Sequence, residues 1–101
     1  KVGRDVTEKE AYEAARITAI NLLAILKSAI GSLDRVKKIV KLLGFVASAP
    51  EFDQQPYVIN GASKLLIDTF GEKGKHARSA IGVSELPFGT PVEIEMIVEI
   101  E

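Results

Sequence analysis

Cysteine and tryptophan are missing from this 101-residue chain, and histidine and methionine occur once each. Without cysteine the chain has no disulfide, thiolate zinc site or cysteine nucleophile. A single histidine also argues against a multi-histidine metal site and against a Ser-His catalytic pair. No apolar run approaches the roughly 20 residues of a membrane span, and no signal-peptide pattern opens the chain. We therefore expect a cytoplasmic protein without membrane association.

The chain also lacks an excess of positive or negative charge. The 13 basic and 14 acidic side chains leave a formal net charge of −1, so the chain has no strong field that attracts polyanions. This balance argues against a general nucleic-acid or membrane-surface binder. A hydrophobic content of 47% is typical of a globular domain. The length predicts one domain that spans residues 1–101.

Residues 8–30 carry the clearest helical pattern. Thr7 and Glu10 form a T-x-x-E capping box, in which each side chain satisfies a backbone N–H group of the first turn. Small or apolar residues then recur at steps of three and four, at Ala11, Ala15, Thr18, Leu22, Ile25 and Ala29. This spacing predicts one buried helix face. Gly31 is placed to end the helix in a left-handed conformation.

The segment 36–46 is compatible with two structures. The set with helical spacing is Val36, Ile39, Val40 and Leu43, and the set that would share one face of a strand is Val36, Val40, Leu42 and Val46. The run is rich in valine and isoleucine, contains a glycine and lacks a strong cap, which favours a strand. Periodicity alone leaves both structures open.

A second helix is expected after the break at Pro50. Asp53 is a candidate N-cap, Pro56 is tolerated in the first turn, and Gly71 is placed to end the helix. The apolar surface of this helix consists of Tyr57, Leu65, Leu66, Ile67 and Phe70. Gly61 is expected to weaken it locally. Residues 72–75 form a charged, glycine-containing loop.

Two strands are predicted at 77–84 and 92–100. Pro87, Gly89 and Pro91 lie between them, so the pair is expected to form a hairpin with an irregular turn. The resulting order predicts an α+β fold with two helices packed on one face of a mostly antiparallel sheet. Three strands leave long edges unpaired and one face uncovered. Either N-terminal strands are absent from this chain, which begins at Lys1 rather than Met, or other chains cover the sheet.

Standard sequence signatures of nucleotide binding are absent. The chain has neither a Walker-type glycine loop nor a dinucleotide fingerprint. The basic stretch G-E-K-G-K-H at 71–76 follows a helix instead of opening one, and we expect it to be a solvated turn. His76 within it is expected to be a surface or loop histidine rather than a metal ligand.

Chemistry is concentrated in the last two strands. Glutamates at 93, 95, 99 and 101 share one face of the final strand. They are compatible with a solvated edge, or with one carboxylate that lines a pocket and transfers protons. Arg78 stands in an otherwise small and apolar strand. A surface arginine is one interpretation, and bidentate capture of a substrate carboxylate is the other.

Several stretches resemble one protein family. H-A-R-S-A-I-G-V-S-E-L-P, followed by V-E-I-E-M-I-V-E-I, resembles the C-terminal signature of the Rid family, also called the YjgF/YER057c/UK114 or L-PSP family. The stretches V-I-N-G-A-S-K-L-L-I-D-T-F-G-E-K-G-K and G-R-D-V-T-E-K-E-A-Y-E-A-A-R resemble the helical parts of a bacterial subgroup. The similarity covers essentially the whole chain. It also favours the strand at 36–46.

The resemblance implies a chorismate-mutase-like fold and a homotrimer with a small-molecule cleft at each subunit interface. The activity implied is hydrolysis of enamine or imine intermediates, such as 2-aminoacrylate, to a 2-keto acid and ammonia, with no metal or cofactor. Arg78 matches the arginine that binds the substrate carboxylate, and Glu93 matches the glutamate that positions the attacking water. Ala80 matches a backbone contact to substrate, and Asn60 matches a cleft residue on the second helix. The strand hairpin that opens the usual member has no counterpart here.

Two other functions remain open from the sequence. A non-catalytic ligand-binding or regulatory trimer would use the same cleft, and an endoribonuclease that inhibits translation is a further alternative. The near-neutral charge and the few aromatic residues argue against RNA as a partner. If the hairpin turned near Phe88, Arg78 would lie opposite Val98, about 16 Å along the strand from Glu93. We therefore expect Arg78 of one subunit to face Glu93 of another.

Overall fold

The computed structural model describes all 101 residues, which form two helices and three strands. The elements are, in chain order, α1 Glu8–Ile30, β1 Val36–Ala47, α2 Gln55–Phe70, β2 Ala77–Val83 and β3 Val92–Ile100. The predicted capping box of α1 is present, since the Glu10 N–H donates to Thr7 Oγ1 at 3.1 Å and the Thr7 N–H donates to Glu10 Oε1 at 3.0 Å. Gly31 ends α1 with a positive φ of 88°. Neither helix is long and apolar enough to cross a membrane.

The N-terminus of α2 differs from the prediction. Gln54, and not Asp53, is the N-cap, and its side chain makes no capping hydrogen bond. The Asp53 carboxylate instead accepts a hydrogen bond from Gln54 Nε2 at 3.0 Å. Pro56 lies in the first turn, as expected, and Gly71 ends the helix with a φ of 63°. The start of α2 is thus one position where a local capping rule did not apply.

The sheet is mixed, with the strand order β2-β1-β3. Strand β1 runs parallel to β2 and antiparallel to β3. The predicted hairpin between the last two strands is therefore wrong, because β1 lies between them. The connection over residues 84–91 crosses the end of β1, where the Ala47 N–H donates to the Pro91 carbonyl at 2.9 Å. Helix α2 supplies the long crossover that a parallel β1–β2 pair requires.

Two irregularities in β1 explain its ambiguous pattern. The register with β3 shifts between Val36 and Lys38 and again between Ile39 and Lys41, and each extra residue changes the alternation of the strand. The fully buried residues of the first half are consequently spaced by three, at Val36, Ile39 and Leu42. Val40 is exposed instead. The segment is a strand, as predicted, but its bulges imitate helical spacing.

The core lies between the helices and one face of the sheet. It combines buried residues of α1 and α2 with the inward positions of β1 and β3: Ala11, Ala15, Ala19, Leu23, Val58, Ile59, Ala62, Leu66, Ile39, Leu42, Val46, Val92 and Ile94. Alanine dominates the buried stripe of α1, so the two helix backbones approach closely. A Cβ atom added at Gly61 would lie 2.1 Å from the carbonyl oxygen of Tyr12. Gly61, which weakens α2 locally, is thus the residue that allows α1 to pack closely against α2.

We predict that Gly61→Ala destabilises the fold. At an unobstructed helix position this change would stabilise a protein by about 1 kcal/mol. Here the added methyl must displace the backbone of α1, and overpacking of this kind costs about 1–3 kcal/mol. Thr69→Ala is a matched control, because the Thr69 hydroxyl bonds only the Leu65 carbonyl of its own helix. Urea denaturation of both variants measures the effect, and a Gly61→Ala protein at least as stable as the wild type would contradict the packing argument.

Candidate functional site

Arg78 lies on β2, which is an edge strand, and its side chain contacts α2. In the register of the sheet Arg78 is level with Leu42, whose side chain faces the helices. The Nη1 group of Arg78 donates to Asn60 Oδ1 at 2.6 Å and to Ser63 Oγ at 3.2 Å. Asn60 and Ser63 are three residues apart, so they lie on the same side of the helix. The structure therefore brings together Arg78 and Asn60, two of the predicted site residues.

His76 extends this hydrogen-bonded cluster. Its Nε2 atom lies 2.9 Å from Ser63 Oγ, and its Nδ1 atom lies 2.6 Å from the carbonyl oxygen of Gly74. Ser63 and His76 are both half-buried. The single histidine of the chain is thus hydrogen-bonded to a serine. We refer to Asn60, Ser63, His76 and Arg78 together as the arginine cluster.

The guanidinium of Arg78 keeps most of its hydrogen-bonding capacity. Both Nη1 hydrogens are used within the chain, whereas Nε and Nη2 donate to no protein atom. No carboxylate lies within ion-pair distance of Arg78. A guanidinium edge with parallel N–H groups is the geometry that binds a carboxylate through two hydrogen bonds. The cluster therefore has the geometry to bind an anion, and α2 already sets the orientation of the guanidinium.

Nearby lysines are paired with acids on their own elements. Lys64 donates to Asp68 at 2.7 Å, and this hydrogen bond raises the pKa of Lys64. Lys75 donates to Glu72 at 2.8 Å, and this hydrogen bond lowers the pKa of Glu72. These pairs are exposed, so they contribute little to stability. Arg78 is the unpaired cation of the site.

A cleft of about 460 Å³ opens beside the arginine cluster. It is lined by Tyr12, Tyr57, Asn60, Ser63, Lys64 and Ile67. The rings of Tyr12 on α1 and Tyr57 on α2 are tilted against each other, with centroids 5.2 Å apart. A second depression of about 350 Å³ contains His76 and Arg78 and shares Ser63 and Ile67 with the first. The two depressions form one continuous surface along α2.

Sequence reasoning did not connect Tyr12, Tyr57 and Ser63 with the site. One available signal was the spacing of residues 57, 60, 64 and 67, which places a tyrosine, an asparagine, a lysine and an isoleucine on one stripe of α2. The apolar pattern of the helix accounts for Tyr57 without any functional role. Tyr12 could not be linked to this stripe, because its position depends on how α1 packs against α2.

Glu93 lies away from the arginine cluster. It pairs with Phe45 of β1, three positions beyond Leu42, which is level with Arg78. An odd separation puts the two side chains on opposite faces of the sheet. Their backbones are about 14 Å apart, given two strand spacings across the sheet and three residues along it. The predicted alignment of Arg78 with Val98 is wrong, since Arg78 is level with Met96 across β1.

The face of the sheet that carries Glu93 is covered by no element of this chain. Its apolar residues are Leu43, Phe45, Ile81 and Ile97, and we call this set the outer face. Ile97 is 60% exposed and Ile81 is 45% exposed. Ile39 of β1 is absent from this face, because the adjacent bulge turns its side chain toward the helices, where it is fully buried. Ala80 is half-buried and lies two residues after Arg78 on the edge strand, with one side of its backbone outside the sheet.

Comparison with known proteins yields one family. The family model described as "YjgF/chorismate mutase-like, putative endoribonuclease" matches residues 1–99. Protein TCP17 of Trypanosoma cruzi is 48% identical over 101 residues, which are 99% of this chain and 63% of that protein.

Two solved structures share this fold at high similarity. The Agrobacterium tumefaciens protein Atu1372, of unknown function, has a TM-score of 0.97 at 51% identity, over 99% of this chain and 64% of that one. A "putative endoribonuclease" from Shewanella oneidensis has a TM-score of 0.93 at 34% identity, over 97% of this chain and 65% of that one. This chain spans slightly less than two thirds of each of these relatives. With two helices on a three-stranded mixed sheet and a family match along nearly its whole length, the chain belongs to the YjgF/chorismate mutase-like family.

Proposed function

We propose that this protein hydrolyses small 2-imino acids to 2-keto acids and ammonia in a cleft between subunits. The observation that carries the proposal is the anion site of Arg78, which is fixed by Asn60 and Ser63 but has three N–H groups free. A carboxylate bound at this edge would hold the imine carbon of the ligand beside α2. Positioning of this kind supplies much of the rate enhancement in enzymes that act on small molecules.

Glu93 supplies the water-activating group in this proposal, and it comes from a neighbouring subunit. One protomer has Arg78 and Glu93 on opposite faces and opposite edges of its sheet, so a shared cleft requires a second copy. The water oxygen adds to the imine carbon while a proton of the water passes to the Glu93 carboxylate. The resulting carbinolamine expels ammonia as the carbonyl forms. Hydrolysis of this kind needs a substrate whose carboxylate is held in a fixed orientation and a protein group that accepts a proton from water.

The outer face supports assembly into an oligomer, which we expect to be a homotrimer. Leu43, Phe45, Ile81 and Ile97 form an apolar surface on a sheet whose other face is already packed against both helices. Contiguous apolar surface of this kind marks interaction sites. A second copy of the chain is the occupant that also brings Glu93 to a neighbouring Arg78.

A carboxylate-binding protein without catalytic activity is the other candidate, because capture of an anion by Arg78 serves both functions. RNA cleavage is the activity named in the family description and for the Shewanella relative. The net charge of −1 argues against RNA as the ligand of this chain. Incubation of the purified protein with RNA tests that activity directly.

Arg78→Ala is expected to reduce kcat/KM for 2-iminopropanoate by about 100-fold or more, because the substrate loses its orienting contact. The imine is generated in situ by an amino-acid oxidase, and the release of pyruvate is followed. Arg78→Lys retains the charge without the planar fork, so its activity should fall between those of Arg78→Ala and the wild type. Arg4→Ala, at an exposed arginine near the N-terminus and outside the arginine cluster, is the matched control. Unchanged hydrolysis by Arg78→Ala would dispose of the catalytic proposal.

Ile97→Lys is expected to dissociate the oligomer, because it replaces the most exposed apolar side chain of the outer face by a charge. Ile25→Lys is the control, since Ile25 is 67% exposed on α1 and lies outside that face. Size-exclusion chromatography with light scattering gives the mass of each. A monomeric wild type, or an Ile97→Lys protein of unchanged mass, would contradict assembly through the outer face.

Mixed oligomers test whether the site is shared. Arg78→Ala and Glu93→Gln are each expected to be inactive alone. When the two variants are co-expressed, the mixed oligomers should recover about a quarter of the wild-type rate. In a cyclic oligomer that assembles at random, about a quarter of the sites combine an intact Arg78 from one subunit with an intact Glu93 from the next. If both residues acted within one protomer, mixing would restore nothing.

A further inference from the structure

The hydrogen bonds of the arginine cluster define where each proton lies. A carbonyl oxygen only accepts, so Nδ1 of His76 carries the hydrogen that is donated to Gly74. In the neutral imidazole Nε2 is then an acceptor, and it receives the hydroxyl hydrogen of Ser63 at 2.9 Å. A lone pair of the Ser63 oxygen faces the Nη1 group of Arg78 at 3.2 Å. Ser63 thus links the imidazole to the anion site.

Ser63 also lies where a ligand would touch it. It lines both the cleft of the two tyrosines and the depression that holds His76 and Arg78. A carboxylate on the free edge of Arg78 would therefore place the rest of the ligand along the surface that Ser63 shares. The imidazole lies behind Ser63, half-buried and anchored through Gly74.

Charged groups lie around His76 on several neighbouring elements. Arg78 on β2 is linked to His76 through Ser63 and has no acidic partner. Lys75 is paired with Glu72 on the preceding turn and Lys64 with Asp68 on α2, whereas Lys73 of that turn forms no ion pair. The positive charge of Lys38 on β1 helps to lower the pKa of Glu72. Tyr12 is the one residue of α1 that lines the cleft. A carboxylate bound to Arg78 would remove the local excess of positive charge and favour protonation of His76.

We propose that Ser63 and His76 form a proton relay at the Arg78 site. His76 takes up a proton at Nε2 when a carboxylate binds, and Ser63 passes a proton to the nitrogen of the ligand. The uptake depends only on carboxylate binding, whereas the second transfer rests on the imine hydrolysis proposed above.

The proton balance of the relay closes over one turnover. As water adds to the imine carbon, Ser63 gives its hydroxyl hydrogen to the imine nitrogen and takes the Nε2 hydrogen of His76. The water proton passes to Glu93 of the partner subunit and then to the amino nitrogen, while the hydroxyl of the carbinolamine returns a proton to that carboxylate. The C–N bond breaks, the carbonyl forms and ammonia leaves. Glu93 then releases its proton to solvent, and His76 regains one for the next cycle.

Titration calorimetry with pyruvate tests the first half of the relay. Measured near neutral pH in two buffers of different ionisation enthalpy, the wild type should take up as much as about one proton per bound carboxylate, because histidine changes charge in this range. His76→Gln retains a polar side chain that can bond Ser63 but cannot take up a proton. Its affinity for pyruvate should persist and its proton uptake should vanish.

The pH profile tests the second half. Ser63→Ala and His76→Gln are expected to lower kcat about 100-fold with little change in KM, because Arg78 still binds the carboxylate. The wild-type kcat should fall as pH rises and His76 loses its proton, and this fall should be missing in His76→Gln. Ser63→Thr keeps the hydroxyl and should retain most activity. Thr69→Ala removes a hydroxyl from the same helix outside the cluster and is the control.

The outcomes separate the two proposals. Failure of pyruvate to bind the wild type would overturn both. If His76→Gln binds pyruvate and turns over substrate with the proton uptake and the pH profile of the wild type, the relay alone is overturned. Binding with proton uptake that is lost in His76→Gln, but without turnover in any variant, would support the uptake step and remove the imine hydrolysis.

Discussion

Strand β1 is paired on both of its edges, and this central position decides where every candidate site residue lies. The parallel pair with β2 places Arg78 at one edge, on the helix side of the sheet. The antiparallel pair with β3 places Glu93 at the other edge, on the outer face. A strand that is buried on one face and bonded on both edges has little freedom to shift, because a slip by one residue would exchange its faces. The distance between the two charged side chains is therefore a property of the fold.

Helix α2 fixes the orientation of an arginine on an edge strand. Asn60 and Ser63 bind the two Nη1 hydrogens of Arg78, so the side chain loses part of its conformational freedom before any ligand arrives. An exposed arginine without such contacts would lose this entropy on binding. The close packing of α1 at Gly61 in turn fixes the position of α2. The chemistry of the cleft thus depends on a contact between two helix backbones at its edge.

The outer face and the arginine cluster have the same physical requirement. The apolar side chains of Leu43, Phe45 and Ile97 need to be covered, and the proposed hydrolysis needs a carboxylate of the protein near Arg78. One protomer satisfies neither requirement, because both of its helices pack on the opposite face of the sheet. The proposed assembly of copies through the outer face would satisfy both, so the proposed activity depends on the proposed oligomer.

Local patterns were sufficient for much of the fold. Some features depend only on near neighbours in the chain, so short stretches of sequence contain their signals. These features are the capping box at Thr7, the glycines at 31 and 71 and the alternation of β3. The resemblance of the H-A-R-S and V-I-N-G segments to a family also singled out Arg78 and Asn60, which the structure joins by a hydrogen bond. The tertiary structure decided the remainder, since strand order depends on which edges pair. Prolines and glycines between two strands look the same whether the chain turns back at once or crosses a third strand. The link between Ser63 and His76 likewise required the packing of α2 on β2, because two polar residues 13 positions apart carry no local signal of contact.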